Sequence, residues 1–353
     1  MPHRPQNHPR ASLASVCLVS ALLLLLTACG AAQAGQVSSS TATQPRASAT
    51  PAEQAPSPTT QAGQSSEVDL SQTIFKQIAM VSTSEGWAVG NDFGNDPIRG
   101  VVLHFHNGVW SQYHTAQPLP ELDGLAMTSA SDGWIVGSGG TILRYQHGAW
   151  VPFASPTPRP LTSLYMLSST EGWAGGDDGF FHYQHGTWTL APDSALVPFV
   201  NTISMASSTE GWAMSQGAVL LRYTQGHWQI VVDDAGFNVY NIAMASSSEF
   251  WAVGQAAQRS NALHYKSGHW QPTQIGSSDV ALFALTMLSP SEGWAAGNSN
   301  AGGVIFHYLN GQWEQVSSPA QVVLHAIAMI SRTEGWGVGE NGKTLHYLDG
   351  IWS

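Results

Sequence analysis

The stretch SSTEGWA stands at Ser168–Ala174 and again, letter for letter, at Ser207–Ala213. Five near-copies occur elsewhere: STSEGWA, SASDGWI, SSSEFWA, SPSEGWA and SRTEGWG. Self-similarity at a fixed period marks a chain built from stacked copies of one supersecondary unit. The tryptophans of these stretches are Trp87, Trp134, Trp173, Trp212, Trp251, Trp294 and Trp336, stepping on average about 41–42 residues, the length of a four-stranded propeller repeat.

Other residues keep the same beat. A second tryptophan follows each first one in the pattern G-x-W: Trp110, Trp150, Trp188, Trp228, Trp270, Trp313 and Trp352. A methionine precedes each first tryptophan by seven residues, from Met80 to Met329. An aromatic residue stands five before each second tryptophan, and before it comes His104, Arg144, His182, Arg222, His264, His307 or His346. Within each copy, short β-branched and aromatic runs such as LTSLYML, GWAVG and TILRY alternate with Ser/Thr, Asn/Asp and Gly turns, the pattern of strands. Four strands per copy, seven copies and no helical periodicity predict an all-β, seven-bladed β-propeller of four-stranded antiparallel blades. The paired tryptophans suit the widening gaps between blades, each burying about 200 Å². The methionines suit flexible gap-filling beside them.

The last copy stops at GIWS, so its fourth strand is cut short. Residues 65–70, SSEVDL, are expected to complete that blade.

The start of the chain concerns destination. Arg4 and Arg10 precede an uncharged stretch, residues 11–28, that ends in Leu26-Thr27-Ala28 before Cys29. A basic head, an apolar run and a small-residue cleavage site form a secretory signal. Leu-Thr-Ala-Cys resembles the lipobox of bacterial lipoproteins, which implies that residues 1–28 are removed and Cys29 is acylated. An uncleaved membrane span is the alternative, and both place the remainder outside the cytoplasm. Residues 29–65 are rich in Ser, Thr, Pro, Ala and Gln and nearly free of large apolar side chains. Such a segment cannot bury enough surface to order itself, and as a coil it spans roughly 30–36 Å. Residues 66–353 form the propeller. The only other cysteine, Cys17, lies in the removed segment, so the exported domain relies on core burial without disulfides.

The motif S-x-[ST]-E-G-W-A-V-G followed by L-H-Y-x-x-G-x-W resembles the repeats of photosystem II stability/assembly factors, within the wider group with sialidase-type BNR repeats. The resemblance covers residues 75–353. It implies a non-catalytic domain that binds other proteins through basic patches. Here the charge is opposite: residues 66–353 hold nine Lys and Arg against 22 Asp and Glu, a net of −13. That argues against a basic docking face and against binding to nucleic acid or anionic lipid. A sialidase would need an arginine cluster to clamp a carboxylate. The six arginines of the domain are Arg99, Arg144, Arg159, Arg222, Arg259 and Arg332, two of them at the repeated His/Arg position. The Phe-Arg-Ile-Pro and Asp-box signatures are absent.

The seven recurring acids, Glu85, Asp132, Glu171, Glu210, Glu249, Glu292 and Glu334, are read as structural. They bind nearby backbone or Ser/Thr groups, or pair with the His/Arg of the third strand. The His/Arg set is structural too, since arginine replaces histidine twice and does not ligate metals. Function is sought where copies differ. The longest variable loop is GNDFGNDPIRG, with Asn91, Asp92, Phe93, Asn95, Asp96 and Arg99 as candidate ligand residues. Asp177, Asp178 and Arg259 join them, with Asn298, Asn300 and Asp233–Asp234 in further variable segments. The NDFGND stretch has oxygen ligands for Ca²⁺ but lacks the spacing of an EF-hand loop. No Ser-His-Asp order, Walker loop or Cys/His metal spacing is present, so neither a catalytic residue nor a cofactor is expected. The reading is a monomeric, lipid-anchored, extracytoplasmic domain that binds a protein or glycan on its variable-loop face and meets the membrane only through its anchor. The alternatives are a lectin or sialidase-like glycosidase, and a purely structural surface protein.

Overall fold

The computed structural model describes residues 69–353 apart from 217, 233–235 and 257–259. Cys29, the tether, Arg259 and Asp233–Asp234 lie outside the described residues. Those described form 28 strands and four short 3₁₀ turns.

The first copy sets the pattern. β1 (Thr73–Ser82), β2 (Glu85–Asp92), β3 (Arg99–His106) and β4 (Val109–Tyr113) pair antiparallel in chain order. The Ser/Thr turn between β1 and β2 holds itself closed, with Ser84 N donating to Ser82 Oγ at 3.2 Å. Asn107 and Gly108 join β3 to β4 with φ of 49° and 89°. Two successive positive φ values make the tight hairpin turn that suits strand twist, hence the fixed glycine of G-x-W. Six more quartets follow. Five of the seven stand as separate four-stranded sheets. The fifth and sixth run together as one eight-stranded sheet, joined by the single pair Gln255–Ala281, which departs from the expectation of uniform separate blades.

The first strand of each copy packs against the first strand of the next, and that of the seventh, Leu324–Met329, packs back on β1. Seven apolar clusters fill the seams, each drawn from two neighbouring copies. In every seam the first tryptophan of one copy meets the second tryptophan of the next edge-on. Trp87 meets Trp150 at 5.5 Å and 90°, and the series ends with Trp336 on Trp110 at 5.7 Å and 80°. Edge-to-face pairs of this kind add about 0.5–1.5 kcal/mol each beyond their burial. The tryptophans thus act between copies.

The methionines act within copies. Met127 pairs with Gly133, and a Cβ on that glycine would lie 2.2 Å from the methionine sulfur. The glycine of E-G-W is therefore the space into which the thioether lies, and the fifth copy fills it with Phe250.

The acids, the His/Arg set and the first tryptophans form one repeated unit. His104 sits opposite Trp87 in register and stacks on it at 4.0 Å and 11°, while its Nε2 meets Glu85 Oε1 at 2.6 Å. The other histidine copies stack likewise. Arg144 and Arg222 lie over Trp134 and Trp212 at 4.9 and 5.5 Å. All seven acids reach their His or Arg: Asp132–Arg144 at 2.9 Å, Glu249–His264 at 2.8 Å, Glu171, Glu292 and Glu334 at 3.5–3.7 Å, and Glu210 with Arg222. Of the two structural roles open to these acids, the pairing across to the third strand is the one common to every copy.

Burial holds His182, His264 and His307 below the ordinary histidine value of 6.5, outweighing the pull of Glu171, Glu249 and Glu292. An unfolded histidine accepts its proton near 6.5, whereas these folded rings resist it. Their contribution is complete above 6.5 and is lost as pH falls below it toward the lowered folded values. The melting temperature is expected to drop between about pH 7.5 and about pH 5.5, with a smaller drop in His264→Gln. A flat profile would contradict this assignment.

Of the proposed closing segment, only Asp69 and Leu70 are described, and neither is in a strand. The last strand pairs within its own hairpin, with Ser353 and His346 exchanging backbone hydrogen bonds at 2.8 and 2.9 Å. Leu70 packs against the seam between the seventh and first copies, where Gly342 leaves room for it. The described end of that segment serves as a plug at the seam.

Candidate functional site

Every first strand contains, near its start, a residue that its partner strand leaves unpaired. In β1 the register runs Phe75–Gly90 and then Gln77–Val89, omitting Lys76. The same break omits Asp123, Thr162, Asn201, Tyr240, Phe283 and His325 in the other copies. Each stands four residues before its copy's methionine. A β-bulge of this kind inserts one residue and re-aims its side chain.

The last glycine of GWAVG makes the bulge possible. A Cβ on Gly137 would lie 2.0 Å from the carbonyl oxygen of Glu121, and one on Gly90 would lie 2.2 Å from that of Ile74. The fourth copy has Ser215 there, buried with its hydroxyl unpartnered, so a Cβ is tolerated at a cost. Gly137→Ala is expected to lower stability by about 1–3 kcal/mol, read from the urea midpoint, by forcing the strand that carries Asp123 to shift.

First-strand residues of all seven copies line a cavity of about 190 Å³; of the bulge residues Thr162, Asn201 and Tyr240 line its mouth, and Lys76, Asp123, Phe283 and His325 stand at the equivalent positions of the other copies. Three kinds of surface succeed one another around it. Tyr240, Phe283 and His325 form an aromatic arc, with Tyr240–Phe283 at 5.5 Å and Phe283 stacked on His325 at 4.8 Å and 10°. Lys76 and Asp123 form a charged arc. Thr162 and Asn201 form a hydroxyl and amide arc, and Thr162 Oγ1 donates to Val200 O at 2.9 Å.

Burial raises the Asp123 carboxyl above its ordinary 3.8, with Lys76 opposing and Glu121 adding. Burial lowers His325, and so does the Lys76 charge, against Glu340 at 3.6 Å. The mouth therefore presents a neutral imidazole at pH 7. Asn201 Oδ1 and His325 Nε2 are buried without a hydrogen-bond partner among the described residues. His325 Nε2 faces Glu340 at 3.6 Å; buried polar atoms are nearly always satisfied, so Asn201 Oδ1 is the atom open to a ligand.

The loop candidates fall into two separate groups. Asn91 is 1 % exposed, and its Oδ1 accepts the backbone N–H of Leu122 at 2.7 Å, so it braces two copies and faces no ligand. Asp92 is committed within the loop, accepting from Gly94 N at 2.8 Å and Asn95 Nδ2 at 2.6 Å. Among the described residues, no three His, Cys, Asp or Glu ligand atoms converge there for Ca²⁺. Asp92, Asn95 and Arg99 share a cavity of about 300 Å³ with Gln112–Leu119. Asp96 and Arg99 line an adjoining groove of about 740 Å³ with Pro97, Ile98 and Pro118–Glu121. Phe93 is exposed at 44 % and lines neither. Asp177 and Asp178, in the third copy, are pinned by Arg159 at 3.2 and 3.4 Å and share neither cavity. Since Thr73 pairs with Asp92, the first-copy loop lies at the end of the sheet where β1 begins, the same end as the mouth.

The ring of bulge residues escaped the sequence reading, though its signal was present. The position four before each methionine reads Lys, Asp, Thr, Asn, Tyr, Phe, His, a different residue in every copy.

No family model matches the chain, and no curated protein does. Solved structures do. YCF48 bound to D1 peptide is 16% identical over 79% of this chain and 92% of that chain, with a TM-score of 0.63. A catalytically inactive virginiamycin B lyase from Staphylococcus aureus with Quinupristin is 13% identical over 79% of this chain and 96% of that one, with a TM-score of 0.65. The WD40 beta propeller domain of Doa1 is 11% identical over 78% and 93%, with a TM-score of 0.60. At such identities the likeness is one of fold alone, and that fold is the β-propeller.

Proposed function

We propose that this chain is a seven-bladed propeller held outside the cytoplasm by a lipid on Cys29, and that it binds a segment of another protein at the mouth of its channel without catalysing a reaction on it. One observation carries the reading: seven unlike side chains on seven equivalent bulges. What recurs in the copies is used in packing, whereas a position that differs in all of them on a common backbone is free to serve a ligand. The aromatic arc covers an apolar side chain, Lys76 and Asp123 meet charges, and Asn201 Oδ1 accepts an N–H. A peptide segment offers that mixture. The fold likeness to YCF48, described with a D1 peptide, supports a protein partner. The net charge of −13 over residues 66–353 favours a basic segment.

The test is capture from native membranes by the tagged, lipid-anchored chain, beside Asn201→Ala/Tyr240→Ala and beside a deletion of residues 91–99. A partner retained by the wild type and reduced at least tenfold by the mouth variant supports the reading. The loop deletion is expected to weaken capture less. Full capture by the mouth variant, with loss on loop deletion, would move the site to the loop cavities.

A further inference from the structure

At the end of the first sheet opposite the mouth, one copy departs from the repeated unit. β3 ends His104-Phe105-His106, and alternate residues of a strand share a face. Glu85 is in register with His106 across β2 and β3. In the other six copies the residue opposite the acid is glutamine, threonine, lysine or leucine. Only here does a second imidazole join the acid–histidine pair.

We infer that Glu85, His104 and His106 form a binding site for a divalent transition-metal ion of the zinc type. Their ligand atoms lie within 4.8 Å of one another, the one such group of three among the described residues. Glu85 Oε1 is 2.6 Å from His104 Nε2, and Oε2 is 3.1 Å from His106 Nδ1. Around a tetrahedral ion with bonds of about 2.0–2.1 Å, neighbouring ligand atoms sit about 3.3 Å apart, so small side-chain rotations suffice. Two imidazoles and a carboxylate are a donor set that zinc favours, and three protein ligands leave a fourth position for water.

The surroundings hold the ligands in place. Stacking on Trp87 at 4.0 Å fixes the plane of His104. Asn107 Nδ2 lies 2.9 Å from His106 Nε2. With an ion on Nδ1, Nε2 carries the proton, and a half-turn of the Asn107 amide presents its oxygen as acceptor, the outer contact that orients metal-bound histidines. His106 has a 63 % exposed side chain, which gives the ion a path from solvent. Hydrogen bonding explains the Glu85–His104 contact, since every copy has its equivalent. It does not explain the second imidazole.

The experiment titrates the EDTA-treated full-length chain with Co²⁺, follows the visible d–d bands of a tetrahedral N/O site, and then displaces Co²⁺ with Zn²⁺. One equivalent is expected, with affinity reduced at least tenfold in His106→Gln and unchanged in His147→Gln, which removes an exposed histidine of the second copy. Near-UV circular dichroism of the metal-free variants checks that they fold. Absence of bands, equal affinity in His106→Gln, or an equal loss in His147→Gln would overturn the site.

Discussion

Trp134→Ala is expected to remove about 3–5 kcal/mol of unfolding free energy at equilibrium in urea. Trp134 is 0% exposed and holds four partners at once. Arg144 lies over its face at 4.9 Å, Phe153 touches it at 4.8 Å, and Tyr183 and Trp188 of the next copy meet it at 4.7 and 5.7 Å. Truncation leaves a cavity in a seam between two rigid sheets that cannot close over it, and such cavities carry the upper range of costs. Trp110→Ala is expected to cost less, because Trp110 is only partly buried. A loss below about 1 kcal/mol for Trp134 would show that the tryptophan ring is not what holds the copies together.

Deleting residues 65–72 is expected to lower the melting temperature by about 5–12 °C, since a loss of roughly 2–4 kcal/mol shifts a domain of this size by a few degrees per kcal/mol. The deletion removes the Leu70 side chain from the seam of Phe75, Ile78, Trp336 and Val338. It also removes the acceptors for Thr73 N at 2.8 Å and Phe93 N at 3.0 Å. Leu70→Ala separates the two effects, since it spares the backbone bonds and gives the smaller share. An unchanged melting curve in both variants would show that the ring closes through the tryptophan and β1 contacts alone.

The architecture was legible because packing repeats. Tryptophan, glycine and methionine recur at fixed spacing since every seam and sheet poses the same steric problem. The site was less legible because a bulge shifts phase without changing composition. In LTSLYML, Thr162 and Ser163 read as ordinary consecutive strand residues, yet the register skips Thr162. No local residue marks that skip. The cause lies across the strand pair at Gly176, where a Cβ would lie 2.2 Å from Pro160 O. Asn91 misled in the opposite direction. Its polar neighbours read as a solvated loop, while its pairing with Ile74 and Gly100 puts it inside the sheet. The closing segment is a separate case: residues 65–68, where a donated strand would pair, lie outside the described residues, and Leu70 at its described end packs at the seam.

The most direct test of the proposed binding mouth is site-specific photo-crosslinking in native membranes, with the probe residue at Tyr240 in one sample and at Ile351 in another. Tyr240 is 39 % exposed on the ring of bulges, and Ile351 is 68 % exposed beside a hairpin turn at the other end of its sheet. The account predicts a protein adduct from position 240, mapping to one segment of one partner, and none from 351. Adducts from 351 alone, or equal yields from both, would contradict it.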